Sequence, residues 1–386
     1  MLAAHFSRSL GAQPGRLHFA AHSHHPWPDA TYAAQEQCWL DATALLDRKW
    51  ERVLGEVVPR AQGHVGRLIG LPDPRQVAFA PNTHEFVSRL YSCLDTARPA
   101  RVLTTAHEFH SFRRQTRRLE EAGRITVERI PVEPWDTFVD RFTAAERSGA
   151  WDLIFVSHVF FDSGYVVPDL ERIVDASPAQ AVVVIDGYHA FCALPVDLSR
   201  LHRRAFYLGG GYKYAMTGEG ACFLAVPPGC TLRPLDTGWY ASFGTLEGRE
   251  AEAVHYADDG YRFWGATFDP SGLYRFNAAM DWLASTGTTI ADVHRHALSL
   301  EKHFLDGLAR LALAELPVTS LVPPAAVARG NFLAFDVDDA EDRHRRIAAQ
   351  SVVIDRRGRR LRFGFGVYHS EHDVRLLVEA LARALR

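Results

Sequence analysis

One short run constrains the fold of this chain more than any other: Ala181-Val-Val-Val-Ile-Asp186. Five apolar residues, most of them β-branched, predict a strand with both faces buried, which is typical of parallel sheets. Strand and helix patterns alternate before it, from Ile125 to His158, and this alternation indicates a parallel sheet covered by helices on both faces. We therefore expect an α/β fold, with a three-layer large domain whose sheet is mainly parallel.

The ends of the chain have different patterns from the middle. Residues 1–28 read as an irregular arm, and the pattern from Asp29 to Ile69 is helical, with Asp29 as the N-cap and Pro59 as a break. Near the C-terminus, strands at 331–336, 351–355 and 360–366 are interleaved with helices, which indicates a small α+β domain. The predicted division is an arm at 1–28, a large domain at 29–275 and a small domain at 276–386.

The candidate chemistry centres on Lys213, in the run Gly209-Gly210-Gly211-Tyr212-Lys213-Tyr214 between two apolar strands. Desolvation on such a loop lowers the pKa of a lysine and makes its neutral amine available for imine chemistry. A surface lysine in a flexible glycine loop is the alternative. Asp186 favours the first interpretation, because ligands of α/β sheets bind at the carboxyl ends of strands. An acid for the pyridine nitrogen and a lysine for the aldehyde are what pyridoxal 5′-phosphate requires.

Composition excludes several function classes. The chain has 386 residues, 47% apolar and 23% charged, with a net charge of −3, so we expect neither nucleic acid nor a membrane as partner. No apolar run approaches the length of a membrane span and the start does not resemble a signal peptide, which favours a cytoplasmic protein. The five cysteines and the cluster His22-Ser-His-His25 lack metal-ligand spacing, so no metal is expected.

With these motifs in order along nearly the whole chain, the sequence resembles the class V branch of the fold-type I pyridoxal-phosphate enzymes, and most of all kynureninase. The resemblance implies that Lys213 binds the cofactor covalently, that Asp186 meets the pyridine nitrogen and that Phe109 stacks on the ring. It also implies that His189 faces the phenolic oxygen. The implied phosphate ligands are Asn82, Thr83, His84 and Tyr212.

The same resemblance implies a substrate pocket and an assembly. Arg362, in Leu-Arg-Phe near the C-terminus, matches an arginine that holds the carboxylate of an amino-acid substrate; a strand-surface arginine is the alternative. His24 lies in the loop at the active-site mouth and is expected to line the substrate pocket. Loops of this family come from the neighbouring subunit of a homodimer, so Trp239 and Trp264 are expected to line the substrate pocket and Thr267 to reach the partner's phosphate.

Several positions depart from the kynureninase pattern. Phe112 stands where an acid is usual, Phe160 replaces an asparagine, and Asp162 has no certain counterpart, an exposed turn being the alternative for it. The resemblance implies hydrolytic Cβ–Cγ cleavage of an aryl-keto amino acid through a Cα carbanion. A class V aminotransferase, a β-lyase or epimerase, and a catalytically silent binding protein remain alternatives. Persulfide chemistry is disfavoured, because no cysteine follows Cys230.

Overall fold

The computed structural model describes residues 2–94, 97–245 and 253–385. Its strands are β1 (Leu17–His18), β2 (Val77–Ala80), β3 (Ala100–Thr105), β4 (Ile125–Ile130), β5 (Leu153–Ser157), β6 (Val182–Asp186), β7 (Ala205–Gly210), β8 (Cys222–Ala225), β9 (Leu321–Val322), β10 (Phe332–Asp336), β11 (Val352–Val353), β12 (Asp355–Arg357) and β13 (Arg360–Gly364). Its α-helices are α1 (Ser7–Gly11), α2 (Ala30–Leu45), α3 (Lys49–Arg52), α4 (Val58–Ile69), α5 (Thr83–Ser92), α6 (His110–Glu121), α7 (Phe138–Ser148), α8 (Leu170–Ala176), α9 (Ser271–Ser285), α10 (Ile290–Leu311), α11 (Ala340–Ala348) and α12 (Glu371–Ala384).

The central sheet has seven strands in the order β2-β8-β7-β6-β5-β3-β4. All pairs are parallel except those of β8, which runs antiparallel to both β7 and β2. The side chains of Val182 to Ile185 on β6 are buried on both faces, which is the physical reason why an unbroken apolar run is stable there. The predicted mainly parallel α/β fold is confirmed. Asp186 pairs with Ser157 and Leu208, so the carboxyl ends of β5, β6 and β7 lie side by side.

A second sheet, β12-β13-β10-β9, is antiparallel and has its own hydrophobic core. Phe304 from α10 packs there against Phe335 and Phe363. The N-terminal arm is built into this unit, because Phe19 lies in the same core and β1 pairs with β11. Helix α9 spans the predicted boundary after residue 275, and its side chains to Leu283 pack in the core of the central sheet.

The first helices differ from the prediction in two details. Asp29 is the N-cap residue of α2, as predicted, but its side chain makes no capping hydrogen bond there, because its carboxylate accepts hydrogen bonds from the backbone N–H groups of Ser7 and Arg8 at 3.0 and 2.9 Å. Pro59 does not break a helix but lies in the first turn of α4, where a missing N–H costs nothing. The actual break follows α2, at Leu46, whose φ is +50°.

Within the described ranges, no helix is both long enough and apolar enough to cross a lipid bilayer. In the same ranges, no cluster of three or more histidine, cysteine or acidic side chains is arranged to hold a metal ion.

Candidate active site

A cavity of about 330 Å³ lies at the carboxyl ends of β6 and β7, where loops of the central sheet meet the N-terminal arm and β13. It brings together nine of the residues predicted from the sequence: Asn82, Thr83, His84, Phe109, Asp186, His189, Tyr212, Lys213 and Arg362. A wider groove of about 1290 Å³ lies beside it and shares Ser23 and Arg357 with it. Because ligands of α/β sheets bind at this edge, the smaller cavity is the candidate active site.

Lys213 lies on the tight loop between β7 and β8. The loop is closed by the backbone N–H of Thr217, which donates to the carbonyl of Gly211 at 2.9 Å. A Cβ atom at Gly210 would lie 2.8 Å from the Tyr188 hydroxyl, so this position has no room for a side chain. The glycine run therefore lets the backbone approach the cavity wall closely enough to aim Lys213 inward.

The environment of the Lys213 amine favours its neutral form. Its Nζ lies 2.5 Å from His189 Nε2. Burial lowers the pKa of Lys213 to about 7, against the opposing effect of the Asp186 carboxylate. Burial also holds the pKa of His189 well below its usual range, and the positive charges of Lys213 and Arg362 add to this effect. The pair therefore consists of a neutral imidazole and an amine that is about half unprotonated near pH 7.

Asp186 ends β6 and lines the cavity as predicted. Its Oδ1 accepts a hydrogen bond from the backbone N–H of Tyr188 at 2.9 Å. Burial raises the pKa of this carboxyl, while that hydrogen bond and the charge of Lys213 act in the opposite direction. A buried carboxylate needs a cationic or N–H partner, and a protonated pyridine nitrogen is both.

The turn before α5 offers the N-terminus of a ten-residue helix to the cavity. Asn82 is its N-cap, since the Asn82 side chain accepts from the backbone N–H of Glu85 at 3.1 Å. Thr83 and His84 follow on the cavity wall, and His84 Nδ1 lies 3.2 Å from Ser111 Oγ. Free amides and a positive dipole end suit a phosphate, so this turn fits that part of pyridoxal phosphate.

Phe109 and Phe112 lie in different environments. Phe109 is 39% exposed, lines the cavity, and has its ring centroid 5.5 Å from Lys213 Nζ, so it is placed for stacking on a bound ring. Phe112, where an acid is usual in kynureninases, is buried and stacks on Phe155 at 3.8 Å. It therefore belongs to the core and supplies nothing to the cavity.

Glu108 is a buried acid to which the sequence analysis assigned no role. It accepts hydrogen bonds from Ser157 Oγ at 2.5 Å and from Thr105 Oγ1 at 2.8 Å. Burial raises the pKa of Glu108 to about 8, although these hydrogen bonds oppose the shift, and the nearby Asp186 carboxylate raises it further. Glu108 is therefore protonated at neutral pH. Its place directly before the stacking aromatic was the signal that could have identified it.

Arg362 is only 2% exposed, so the alternative of a strand-surface arginine is wrong. Its Nη2 donates to Asp355 Oδ2 at 2.7 Å and its Nη1 donates to the carbonyl of Phe161. Its Nε is buried and has no hydrogen-bond partner among the described residues. Arg357, to which the sequence assigned no role, also lines the cavity. Two guanidinium groups are thus available to an anionic substrate.

Of two histidines of the N-terminal arm, His22 lines the cavity and His24 does not. His24 is exposed and lines the neighbouring groove, where its ring meets the edge of Tyr212 at 5.0 Å. His22 is fully buried and lines the cavity itself. The loop turns between them, since the backbone N–H groups of Ser23 and His24 both donate to Ala20 O at 2.9 Å. The prediction that His24 lines this cavity is wrong.

The prediction that Trp264 lines a pocket is also wrong. Trp264 is 1% exposed and stacks on Tyr261 at 4.8 Å within the core of its own chain, so it cannot reach a neighbouring subunit. Trp239 is 45% exposed and stacks on Tyr240 at 4.3 Å. Thr267 is exposed as well, and neither Trp239 nor Thr267 lines the cavity of this chain.

Asp162 is not an exposed turn acid. Its Oδ2 lies 2.7 Å from His107 Nδ1 and 2.8 Å from Arg360 Nη1, and its side chain is 16% exposed. Burial acts to raise the pKa of Asp162, but the hydrogen bond with His107 and the positive charge of Arg360 outweigh it and hold this pKa below its usual range. Asp162 is therefore the centre of a charged cluster between the loop after β3 and β13.

Three comparisons place the chain among known proteins. It is 28% identical over 343 residues to isopenicillin N epimerase of Streptomyces clavuligerus, covering 83% of each chain. It is 27% identical over 253 residues to a cysteine desulfurase of Pectobacterium atrosepticum, covering 61% of this chain and 54% of the other. In structure it is similar to a mutant of C-DES with glycine covalently linked to the PLP cofactor, with a TM-score of 0.84, 16% identity and coverage of 97% and 98%.

These relatives are epimerases and desulfurases, so the closer resemblance to kynureninase is not supported, in keeping with the departures at Phe112 and Phe160. The acid, the lysine, the helix N-terminus and the stacking ring of the cavity fit pyridoxal 5′-phosphate. The family model for aminotransferase class V matches residues 48–377, and with it the chain belongs to this family of pyridoxal 5′-phosphate enzymes.

Proposed function

We propose that this enzyme epimerises the α-carbon of an amino-acid substrate. The observation that carries the proposal is the buried amine of Lys213, 2.5 Å from His189 and with a pKa of about 7, in one cavity with Asp186 and Arg362. Such an amine can both accept and return a proton near neutral pH. The similarity to isopenicillin N epimerases over more than four-fifths of the chain supports epimerisation over the hydrolysis first expected.

Each side chain of the cavity then has a distinct task. The chemistry that pyridoxal 5′-phosphate supplies when bound is an aldehyde for the substrate amine and a ring that accepts the electron pair of the broken Cα–H bond. Lys213 accepts the α-proton at Nζ, and the neutral ring of His189 positions that amine. Asp186 would hold the positive charge of the ring nitrogen of bound pyridoxal 5′-phosphate, and Phe109 would stack on that ring. The phosphate ligands in this proposal are Asn82, Thr83, His84 and Tyr212.

The two guanidinium groups of the cavity, Arg362 and Arg357, indicate a substrate with a carboxylate. A guanidinium binds a carboxylate through paired N–H donors, and Arg362 still has a buried Nε–H to offer. Asp355 holds Arg362 and lies 3.2 Å from Arg357, so one acid orients both groups. We therefore expect an α-amino acid, or a larger molecule that carries a free α-amino-acid group.

A desulfurase mechanism is disfavoured by the thiols. Among the described residues that line the cavity, Cys222 is the only cysteine. Burial raises the pKa of Cys222 to about 11, so this thiol stays protonated and is a poor nucleophile at neutral pH. No cysteine follows Cys230 in the sequence. A protein persulfide therefore has no suitable sulfur in this chain.

The proposal includes a homodimer with shared sites. Large apolar side chains are exposed on α2 and on the segment before the 3₁₀-helix Trp239–Thr245, including Trp39, Leu40 and Leu235. Exposed apolar surface of this kind favours association. In such a dimer, Trp239 and Thr267 of one subunit are the candidates to approach the cavity of the other. Light scattering on the purified protein measures its molar mass in solution, and a monomer at micromolar concentration would contradict the proposed homodimer.

The test of the function is a chiral screen. The enzyme with pyridoxal 5′-phosphate is incubated in D₂O with L- and D-amino acids and with isopenicillin N, and α-proton NMR is combined with chiral chromatography. We expect deuterium at Cα and appearance of the opposite epimer, both lost in Lys213→Ala and retained in Lys302→Ala, a change on the exposed face of α10.

Other products would assign other reactions. Pyruvate and ammonia would indicate a β-lyase, and a new amino acid formed only with an added keto acid would indicate an aminotransferase. A folded protein that gives no visible absorbance band with pyridoxal 5′-phosphate would indicate a silent binding protein. Any of these results without epimer formation overturns the proposal.

A further inference from the structure

His22 is a polar residue of the cavity to which the proposed chemistry gives no task. It is fully buried, lines the cavity, and neither of its ring nitrogens has a hydrogen-bond partner among the described residues. Leaving a buried polar group unpaired has a cost in stability. Such a cost is offset only when a ligand supplies the missing partner.

Packing alone holds the His22 ring in place. The ring stacks on Phe332 with centroids 4.5 Å apart and an interplanar angle of 16°. On β13, a Cβ atom at Gly364 would clash with His22 Nδ1 and would lie 2.8 Å from the His22 backbone nitrogen. The absence of a side chain at Gly364 therefore makes the space that the imidazole occupies.

The charges around His22 keep its ring neutral. Burial holds the pKa of His22 well below its usual range, and the positive charges of Arg362 and Lys213 add to this, with smaller effects of His18 and Arg357. A neutral imidazole has one N–H donor and one acceptor nitrogen. Neither nitrogen of His22 has a partner among the described residues, and because Nδ1 packs against Gly364, Nε2 is the nitrogen left for a substrate.

His22 and Lys213 reach the cavity from different walls. Lys213 comes from the loop after β7, with its Nζ against His189 and 4.6 Å from the ring centroid of Tyr188. His22 comes from the N-terminal arm, whose Ala20 bridges to Gly364 on β13. The cavity thus has one group that can carry a proton on the central sheet, Lys213, and another that reaches it from the arm, His22.

We propose that His22 is the second proton-transfer residue of the epimerase, acting on the face of Cα opposite to Lys213; this inference rests on the proposed function. In one direction the bare nitrogen of the neutral His22 ring takes the α-hydrogen as a proton and becomes imidazolium, and the electron pair of the broken bond stays with the substrate. The Lys213 ammonium then donates a proton to Cα from the other side, and that pair forms the new C–H bond. In the reverse direction the neutral Lys213 amine accepts and the imidazolium form of His22 donates, and proton exchange with water returns both groups to their starting states.

The test separates exchange from inversion. In D₂O, the wild-type enzyme exchanges the α-hydrogen of both enantiomers of the amino acid that reacts fastest in the chiral screen. His22→Asn should form the opposite enantiomer at least about 100-fold more slowly, the usual contribution of a positioned acid or base, and should still exchange the enantiomer that faces Lys213. His5→Asn, the same change at an exposed site on the same arm, should behave as wild type.

Two measurements distinguish this role from a structural or carboxylate-binding one. The affinity of His22→Asn for the amino acid, read from the visible absorbance of the cofactor, should equal that of the wild type. The cofactor-free His22→Phe protein should unfold at no lower temperature than the wild type, because the ring loses no hydrogen bond. Loss of affinity with inversion intact, or inversion of both enantiomers by His22→Asn, overturns the inference. Absence of any exchange in the wild type overturns the epimerase itself.

Discussion

The pKa of Lys213 can be measured in the cofactor-free protein, and Asp186→Asn is the change that tests its physical origin. Burial lowers the pKa of Lys213 from 10.5 to about 7, and the Asp186 carboxylate is the largest opposing influence. At pH 7 about half of this amine is neutral, whereas an amine with a pKa of 10.5 is neutral in only about one molecule in 3000. Removing the negative charge at Asp186 should lower the pKa of Lys213 further.

Competitive acetylation gives the titration curve of this one side chain. The chain has three lysines, Lys49, Lys213 and Lys302, so peptide mass spectrometry resolves each of them. The protein is treated with a trace of acetic anhydride between pH 5 and 10, and the yield at Lys213 is compared with that of an added standard amine. Lys302, whose side chain is 76% exposed, reports reagent activity in the same digests.

In the wild type, labelling of Lys213 should rise tenfold per pH unit below pH 7 and level off above it. In Asp186→Asn the plateau should begin at lower pH. A yield at Lys213 that still rises tenfold per unit at pH 9 would refute the claim that burial controls this amine. A plateau that moves to higher pH in Asp186→Asn would refute the electrostatic part of the argument.

Three further predictions follow from individual side chains. Arg362→Lys loses the planar pair of donors, and the KM of an amino-acid substrate should rise about 10- to 100-fold in steady-state assays, as expected for a charged hydrogen bond of about 1.5–3 kcal/mol; an unchanged KM would contradict the carboxylate site. Trp264→Ala should lower the free energy of unfolding by about 3–5 kcal/mol in urea titrations, because it leaves a cavity in the core. A variant with reduced enzyme activity but an unchanged free energy of unfolding would contradict this. The folded-state pKa of Glu108 is raised to about 8 from 4.5, so folding takes up a proton between these values and the stability of the wild type falls as pH rises. Glu108→Gln lacks this loss, and its stability relative to the wild type should increase by up to about 1.4 kcal/mol per pH unit in that window, which unfolding curves at pH 6 and 8 would measure.

Local sequence patterns predicted many residues of the site. The apolar run of β6, the glycine loop and the N-cap at Asn82 each follow from short-range rules on burial, turn conformation and capping, and the structure brings Asp186, Lys213 and Asn82 to one cavity. Roles that depend on packing were harder to predict. The sequence predicts Trp264 to be a pocket residue because it lies in a glycine- and aromatic-rich loop, but in the structure its ring stacks on Tyr261 and is buried.

The sequence by itself determined the mainly parallel α/β fold, the family and its cofactor, because apolar strands and the order of an acid and a lysine after two of them can be recognised along the chain. Only the tertiary structure decided which histidine of the arm enters the cavity, since that depends on the turn after Ala20 and on the space above Gly364. It also decided that Arg362 is buried and that Glu108 is protonated, because desolvation is set by the atoms that distant segments bring around a charge.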